Sequence, residues 1–196
     1  MGILRPSFIV GIGGSAGALD AYIALLEALP SNTGMTFVII SHMFPTAISQ
    51  LAELLAGHSK LPVVVAFNGM RIRANYVYVI PPNADLFIKK YTFKVVSPRT
   101  KSNVAVDLFF TSLAEAMGAR AIGIILSGYD GDGTEGCKNI KAKGGITFAQ
   151  DMSAKVAQMP LGAQASGCID FVMPIDKISD KLKKLAAELN LRRPGS

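Results

Sequence analysis

Between Phe8 and Leu19 the chain reads FIVGIGGSAGAL, and few folds can accommodate such a stretch. Phe8, Ile9 and Val10 form a short apolar run of strand-forming residues. Gly11, Gly13, Gly14 and Gly17 then crowd around one hydroxyl, Ser15. Leu19, Tyr22, Ile23, Leu26 and Leu29 recur at helical spacing until Pro30 stops the pattern. The reading is a strand, a glycine-rich turn and a helix, with Ser15 on the turn.

Three chemistries compete for that turn. Gly13-x-Ser15-x-Gly17 fits a nucleophile elbow, in which small neighbours let a serine sit on a tight strand-to-helix turn with Oγ exposed. Amides at the start of the helix would then stabilise a developing oxyanion. Gly11-x-Gly13-x-x-Ala16 is also a version of the dinucleotide fingerprint. That fingerprint wants an acidic residue at the end of the second strand, and here the strand from Thr36 to Ile40 ends in Ser41-His42. The third reading makes Ser15 a helix N-cap and nothing more.

The rest of the chain alternates in the same way. Apolar strands are predicted at Met35–Ile40, Val63–Ala66, Tyr76–Ile80, Ala121–Leu126, Ile146–Ala149 and Cys168–Val172. Helices are predicted after Pro45 (Ile48, Leu51, Leu54 and Leu55 on one face), over Val104–Met117, through Ile140, and over Asp176–Leu191 (Ile178, Leu182, Leu185 and Leu189). Leu86–Val96 reads as a hairpin at the edge, Met159-Pro160 as a turn, and Arg192–Ser196 as a frayed end. Continuous apolar strands alternating with helices indicate an α/β fold: a doubly wound, mostly parallel sheet with helices on both faces and an edge hairpin. Ligands of such sheets bind beyond the carboxyl ends of the strands.

Composition narrows the function. Half of the 196 residues are apolar and 17% charged, so the chain buries a substantial core as one domain. The net charge of +6 is spread, apart from Lys89-Lys90, Arg99–Lys101 and the last helix, and there is no Trp. No basic run is interleaved with aromatics, so no nucleic-acid partner is expected. Cys137 and Cys168 lack CxxC spacing and read as reduced thiols of a cytoplasmic protein, with no metal and no cofactor. No apolar run approaches the roughly 18 residues that span a bilayer, so no membrane insertion is expected.

Three predicted strands carry reactive residues at their carboxyl ends: Ser15 on the first, His42 on the second, and Asp130 and Asp132 after Ala121–Leu126. A serine hydroxyl is a poor nucleophile until a base accepts its proton, and imidazole titrates in the right range. His58 follows a helix stop at Gly57 and reads as a solvated loop residue. A carboxylate would fix the tautomer of His42 and stabilise the imidazolium, and either aspartate could supply it.

The segments GIGGSAGAL, ISHMFP, LAELLAGHSKLPV, NGMRI, YVYVIPPN, VDLFF and GIILSGYDGDGTEG, in that order, resemble the catalytic domain of the CheB-type protein-glutamate methylesterases of bacterial chemotaxis. The resemblance covers about Phe8 to Val172. It implies a triad of Ser15 as nucleophile, His42 as base and Asp132 as orienting acid. Ala16 and Tyr129 would line the site and offer amides to the oxyanion. It implies hydrolysis of glutamate γ-methyl esters, and deamidation of glutamine, on the cytoplasmic helices of methyl-accepting chemotaxis receptors. The alternative of another class is a non-catalytic signalling or receptor-binding module of the same fold.

Three departures stand out. Ser15-Ala16-Gly17-Ala18 replaces a usual Ser-Thr-Gly-Gly, Tyr129 stands where methionine is common, and Asp130 where glycine is usual. Residues 1–196 read as one methylesterase domain, its core about 8–190, with no receiver domain: either it acts without phosphorylation control or it was cut from a larger signalling protein, whose other domains would then join the receptor helices that the resemblance implies as partners. Short loops around Ser15 and the cations at Arg99–Lys101 predict an open cleft for a protein segment, with salt-sensitive binding.

Overall fold

A computed structural model describes residues 4–42 and 45–192, the side chains of 45–49 and 189–192 excepted. Met43, Phe44, Ile48, Leu189 and the end after Arg192, all named above, therefore lie outside the described side chains or residues. Among the described residues, seven parallel strands form one sheet: β1 (Ile9–Gly14), β2 (Thr36–Ser41), β3 (Val63–Val65), β4 (Tyr76–Val79), β7 (Ala121–Ile125), β8 (Ile146–Gln150) and β9 (Phe171–Met173). Their order is β3-β4-β2-β1-β7-β8-β9. From β1 the chain builds one side of the sheet, with β2 next to it, β3 at the edge and β4 between them, and then crosses back to place β7 on the other side of β1. That reversal at β1 is the switch point where such sheets open a crevice at their carboxyl edge.

The helices are α1 (Leu19–Ala28), α2 (Pro45–Ala56), α3 (Ala105–Met117), α4 (Thr134–Ala142), α5 (Gln158–Ala165) and α6 (Ile175–Arg192). α3 and α4 pack together on one face of the sheet, and α1 with α6 on the other. Between the layers β1, β2, β4 and β7 are almost wholly buried, as their unbroken apolar runs require. The remaining strands, β5 (Asp85–Lys89) and β6 (Thr92–Val96), form the hairpin. It makes a two-stranded sheet of its own, packed on α3, and is not hydrogen-bonded to the main sheet.

β1 runs through the glycines instead of ending before them. A Cβ on Gly11 would stand 2.6 Å from a Phe110 ring carbon, and one on Gly13 2.5 Å from Val106 Cγ1. These two glycines let α3 lie against the strand, so neither is free to cradle a pyrophosphate, and the dinucleotide reading falls. Only the end of the stretch is a turn. The Ala18 amide bonds to the Ser15 carbonyl at 3.2 Å, and Gly17 sits at φ 75°, a conformation that a side chain disfavours.

Elsewhere the structure differs from the sequence reading in three places. The segment read as a loop with a Met159-Pro160 turn is the helix α5. Pro160 lies in its first turn, where an amide has no intrahelical acceptor anyway. The last strand is Phe171–Met173 and not Cys168–Val172, because Cys168 still belongs to the turn after α5. Leu54, expected on the buried face of α2, is 42% exposed, while Leu51 and Leu55 are buried.

Candidate active site

Gly14 lies opposite Ser41 in the register of β1 and β2, so Ser15 and His42 are the next residues on adjacent strands. Neighbouring strands are about 4.8 Å apart, so the chain positions of Ser15 and His42 leave the sheet side by side at its carboxyl edge. The Ser15 turn is held from below by β7. The Leu126 amide bonds to the Gly13 carbonyl at 2.8 Å, and the Ser15 amide to the Ser127 carbonyl at 2.9 Å. The Ser127 hydroxyl donates to the Ala16 carbonyl at 2.8 Å and accepts the Val156 amide at 2.9 Å. Ser127 thus ties the turn to two further loops, a role that its place in SGYDGDG did not signal.

The loop after β7 supplies the carboxylates. His42 Nε2 lies 2.6 Å from Asp132 Oδ2, and His42 Nδ1 lies 3.0 Å from Asp130 Oδ2. Both ring nitrogens therefore face a carboxylate, and among the described residues no hydrogen bond joins Ser15 Oγ to His42. Asp132 is fully buried and accepts two more donors: the Val106 amide on Oδ2 and the Asp107 amide on Oδ1, each at 2.8 Å. These amides belong to the first turn of α3, whose own N-cap, Val104, offers no side-chain bond. Asp132 therefore caps α3 from 25 residues away in sequence.

The capping is mutual. Asp107 Oδ1 accepts the Gly136 amide, in the first turn of α4, at 2.7 Å. α4 begins directly after the turn that carries Asp132, and its own N-cap, Gly133, has no side chain. Sequence reasoning did not single out Asp107. The only signal for it is an acidic residue in the first turn of a helix, which is too common to indicate a site.

Burial opposes charge on His42, but the hydrogen bond and charge of Asp132, joined by those of Asp130, outweigh it and hold the imidazolium above its ordinary range. Burial alone would raise Asp132. The bond from His42 and the amides of Val106 and Asp107 outweigh it and draw the carboxyl below its usual range.

The other sequence-predicted residues fall around this centre. Ala16 occupies the turn after Ser15, and Tyr129 is 67% exposed on the loop after β7. Arg99 reaches the carboxyl edge as expected: Nε bonds to the Ala84 carbonyl at 3.1 Å, and Nη2 to that of Ser41 at 3.4 Å. His58 pairs with Glu27 on the exposed surface, away from this group. Cys137 and Cys168 are buried and unbridged. Among the described residues no group of three or more His, Cys, Asp or Glu could hold a metal ion, and no helix is long and apolar enough to cross a membrane.

Comparison with known proteins gives a consistent result. Residues 10–182 match the family model for CheB methylesterase. A Leptospira interrogans protein, provisionally named protein-glutamate methylesterase/protein-glutamine glutaminase, is 31% identical over 89% of this chain and 92% of its own length. Protein-glutamate methylesterase/protein-glutamine glutaminase 3 of Burkholderia orbicola is 35% identical over 89% of this chain and 52% of its own length. The chain thus spans nearly all of the first relative and about half of the second. The crystal structure of the Thermotoga maritima CheB methylesterase catalytic domain superposes with a TM-score of 0.87 at 30% identity, over 91% of this chain and 98% of that one.

Proposed function

Because the chain belongs to the CheB methylesterase family, we propose that it is a serine hydrolase that demethylates glutamate γ-methyl esters on the cytoplasmic helices of chemoreceptors, and deamidates glutamine there. In this reading Ser15 is the nucleophile, His42 the base and Asp132 the orienting acid. The observation that carries it is the 2.6 Å contact of Asp132 with His42 Nε2, made by a carboxylate already clamped by two backbone amides.

With Nε2 committed to Asp132, the nitrogen left for Ser15 is Nδ1. Ser15 Oγ gives its proton to Nδ1 and attacks the ester carbon; the carbonyl electron pair becomes the oxyanion. The Ala16 and Tyr129 amides, neither hydrogen-bonded among the described residues, are the donors proposed to meet it. Collapse breaks the bond to the methoxy group, which takes the proton from Nδ1 and leaves as methanol. Water, activated by the same nitrogen, then cleaves the glutamyl ester of Ser15 and yields the carboxylate. A glutamine side chain follows the same course with ammonia leaving. Tyr129 and Met152 stand 67% and 73% exposed on the loops after β7 and β8, which suits a substrate presented by a protein surface.

The test is methanol release from a methylated receptor cytoplasmic fragment. Ser15→Ala is expected to fold normally and to lower kcat on the order of 10⁶-fold. A Ser15→Ala protein that keeps more than a few per cent of the activity refutes the mechanism.

A further inference from the structure

The turn after β7 brings two carboxylates to one imidazole, and the mechanism above uses only one of them. Asp132 is held fast by three donors on a fully buried side chain. Asp130 is held differently. Its side chain is 24% exposed, Oδ2 lies 3.0 Å from His42 Nδ1, and among the described residues Oδ1 accepts only the Asp132 amide at 3.2 Å. Among the described residues nothing outside its own chain neighbours comes within 4 Å of where a Cβ on the neighbouring Gly131 would be, so they leave open space at this part of the turn.

Asp130 thus holds the one ring nitrogen that Ser15 needs. A nitrogen that donates to a carboxylate carries a proton and cannot accept another. We propose that Asp130 is a positioning residue that latches His42 in a charged resting state, its carboxylate holding the Nδ1–H until it swings outward and that proton passes to water. The inference rests on the reading of Ser15 and His42 as nucleophile and base. Once Asp130 has left, Nδ1 is a free acceptor, while Asp132 still holds Nε2.

The other charged groups nearby do not compete for that nitrogen. Arg99 approaches from the loop before α3, but its guanidinium is spent on the carbonyls of Ala84 and Ser41. Asp107, on α3, is committed to the Gly136 amide. Removing the Asp130 carboxylate therefore leaves the ring with a single carboxylate, and the imidazolium loses one of its two counter-charges.

Two variants, Asp130→Asn and Asp130→Gly, test the latch with two readouts. The first is ¹⁵N titration of His42 in a Ser15→Ala, His58→Gln background, where catalysis plays no part and one histidine remains. The apparent pKa is expected to fall by at least about one unit in both variants, since a nearby opposite charge supports 1–3 units. Asp130→Glu, which keeps the charge, is expected to return most of that shift. The second is the pH dependence of kcat/KM for methanol release in the Ser15 protein. Its acid limb is expected to move down by the same amount, giving about a tenfold faster rate on that limb per unit. A merely structural Asp130 would lower Tm and leave the titration where it was. An unmoved titration overturns the proposal. So does a fall in kcat of about 10⁴-fold in both variants, which would make Asp130 the orienting acid. Should Ser15→Ala remain active, the reading of Ser15 as nucleophile fails, and the titration alone decides whether Asp130 latches the ring.

Discussion

Asp132→Asn perturbs chemistry and stability together, and the geometry sets the size of each effect. The carboxylate serves three donors: His42 Nε2 at 2.6 Å and the Val106 amide at 2.8 Å on Oδ2, and the Asp107 amide at 2.8 Å on Oδ1. Asparagine keeps one acceptor oxygen and turns the other position into a donor. With its oxygen in the Oδ2 position it still serves His42 and Val106, but its NH₂ then faces the Asp107 amide. Flipped, it leaves two donors facing NH₂ instead of one. The side chain will take the first arrangement, with one buried amide lacking an acceptor. That costs about 1–3 kcal/mol, and we take about 2 kcal/mol. In a domain of this size each kcal/mol shifts Tm by about 2–4 °C, so a fall of roughly 4–8 °C is expected. The chemical loss is larger. Without the charge that fixes the ring and supports the imidazolium, kcat is expected to fall by about 10⁴-fold. Calorimetry and methanol release measure the two effects on one preparation. A Tm within 1 °C of the parent would refute the capping argument, and a kcat within about tenfold would refute the assignment of Asp132 as the orienting acid.

Two further outcomes are expected. Gly13→Ala places a Cβ 2.5 Å from Val106 Cγ1 and should destabilise by about 1–3 kcal/mol, with part recovered in Gly13→Ala/Val106→Ala, measured by urea unfolding. Additive losses in the double variant would show that the strand–helix approach is not what requires glycine. Stability should also depend on pH through the His42–Asp132 contact. His42 is raised in the folded state, so its contribution is full below about pH 6.5 and is lost as pH rises through the folded value. Asp132 is lowered, so its contribution is full above about pH 4 and is lost as pH falls through its folded value. Tm should therefore be highest between those limits and fall on the alkaline side, and His42→Gln should flatten that alkaline fall. An unchanged alkaline slope in His42→Gln would contradict it.

The fold was legible wherever burial alone determines sequence. The strands flanking β1 are apolar on both faces, and no other element of that length needs such a run. It was illegible where tertiary contacts decide. The glycines of β1 look like a loop in sequence because glycine is rare within strands. Gly11 and Gly13 belong to the strand because Phe110 and Val106, far along the chain, occupy the space of their missing side chains, and Gly14 because Tyr22 and Ala18 do. α5 carries a proline and a glycine within eight residues, which local propensity reads as a turn. It forms nonetheless because Met159 is buried against Gly128 and Ala163 is buried with it. At the site, the order of strand ends placed Ser15, His42 and two aspartates on one edge. It could not say which aspartate meets which nitrogen, since that depends on how the SGYDGDG turn is anchored.

The anchoring follows from the two capping contacts taken together. Asp132 caps α3, Asp107 of α3 caps α4, and α4 starts one residue beyond Gly133, next to Asp132 in the chain. The three segments close a ring of hydrogen bonds between residues 25 to 29 positions apart in sequence. Asp132 cannot move away from His42 without uncapping α3, and α3 cannot shift without carrying Asp107 off the start of α4. Each cap is worth about 1 kcal/mol, so displacing Asp132 breaks two helix starts along with its own bond to the ring. Asp130, two residues earlier, lies outside the ring. Among the described residues it gives up only the Nδ1 contact and one amide when it moves. One short turn can therefore hold a fixed acid on Nε2 and a movable one on Nδ1. The difference lies in which carboxylate the helix ends depend on, and not in how near each stands to the imidazole.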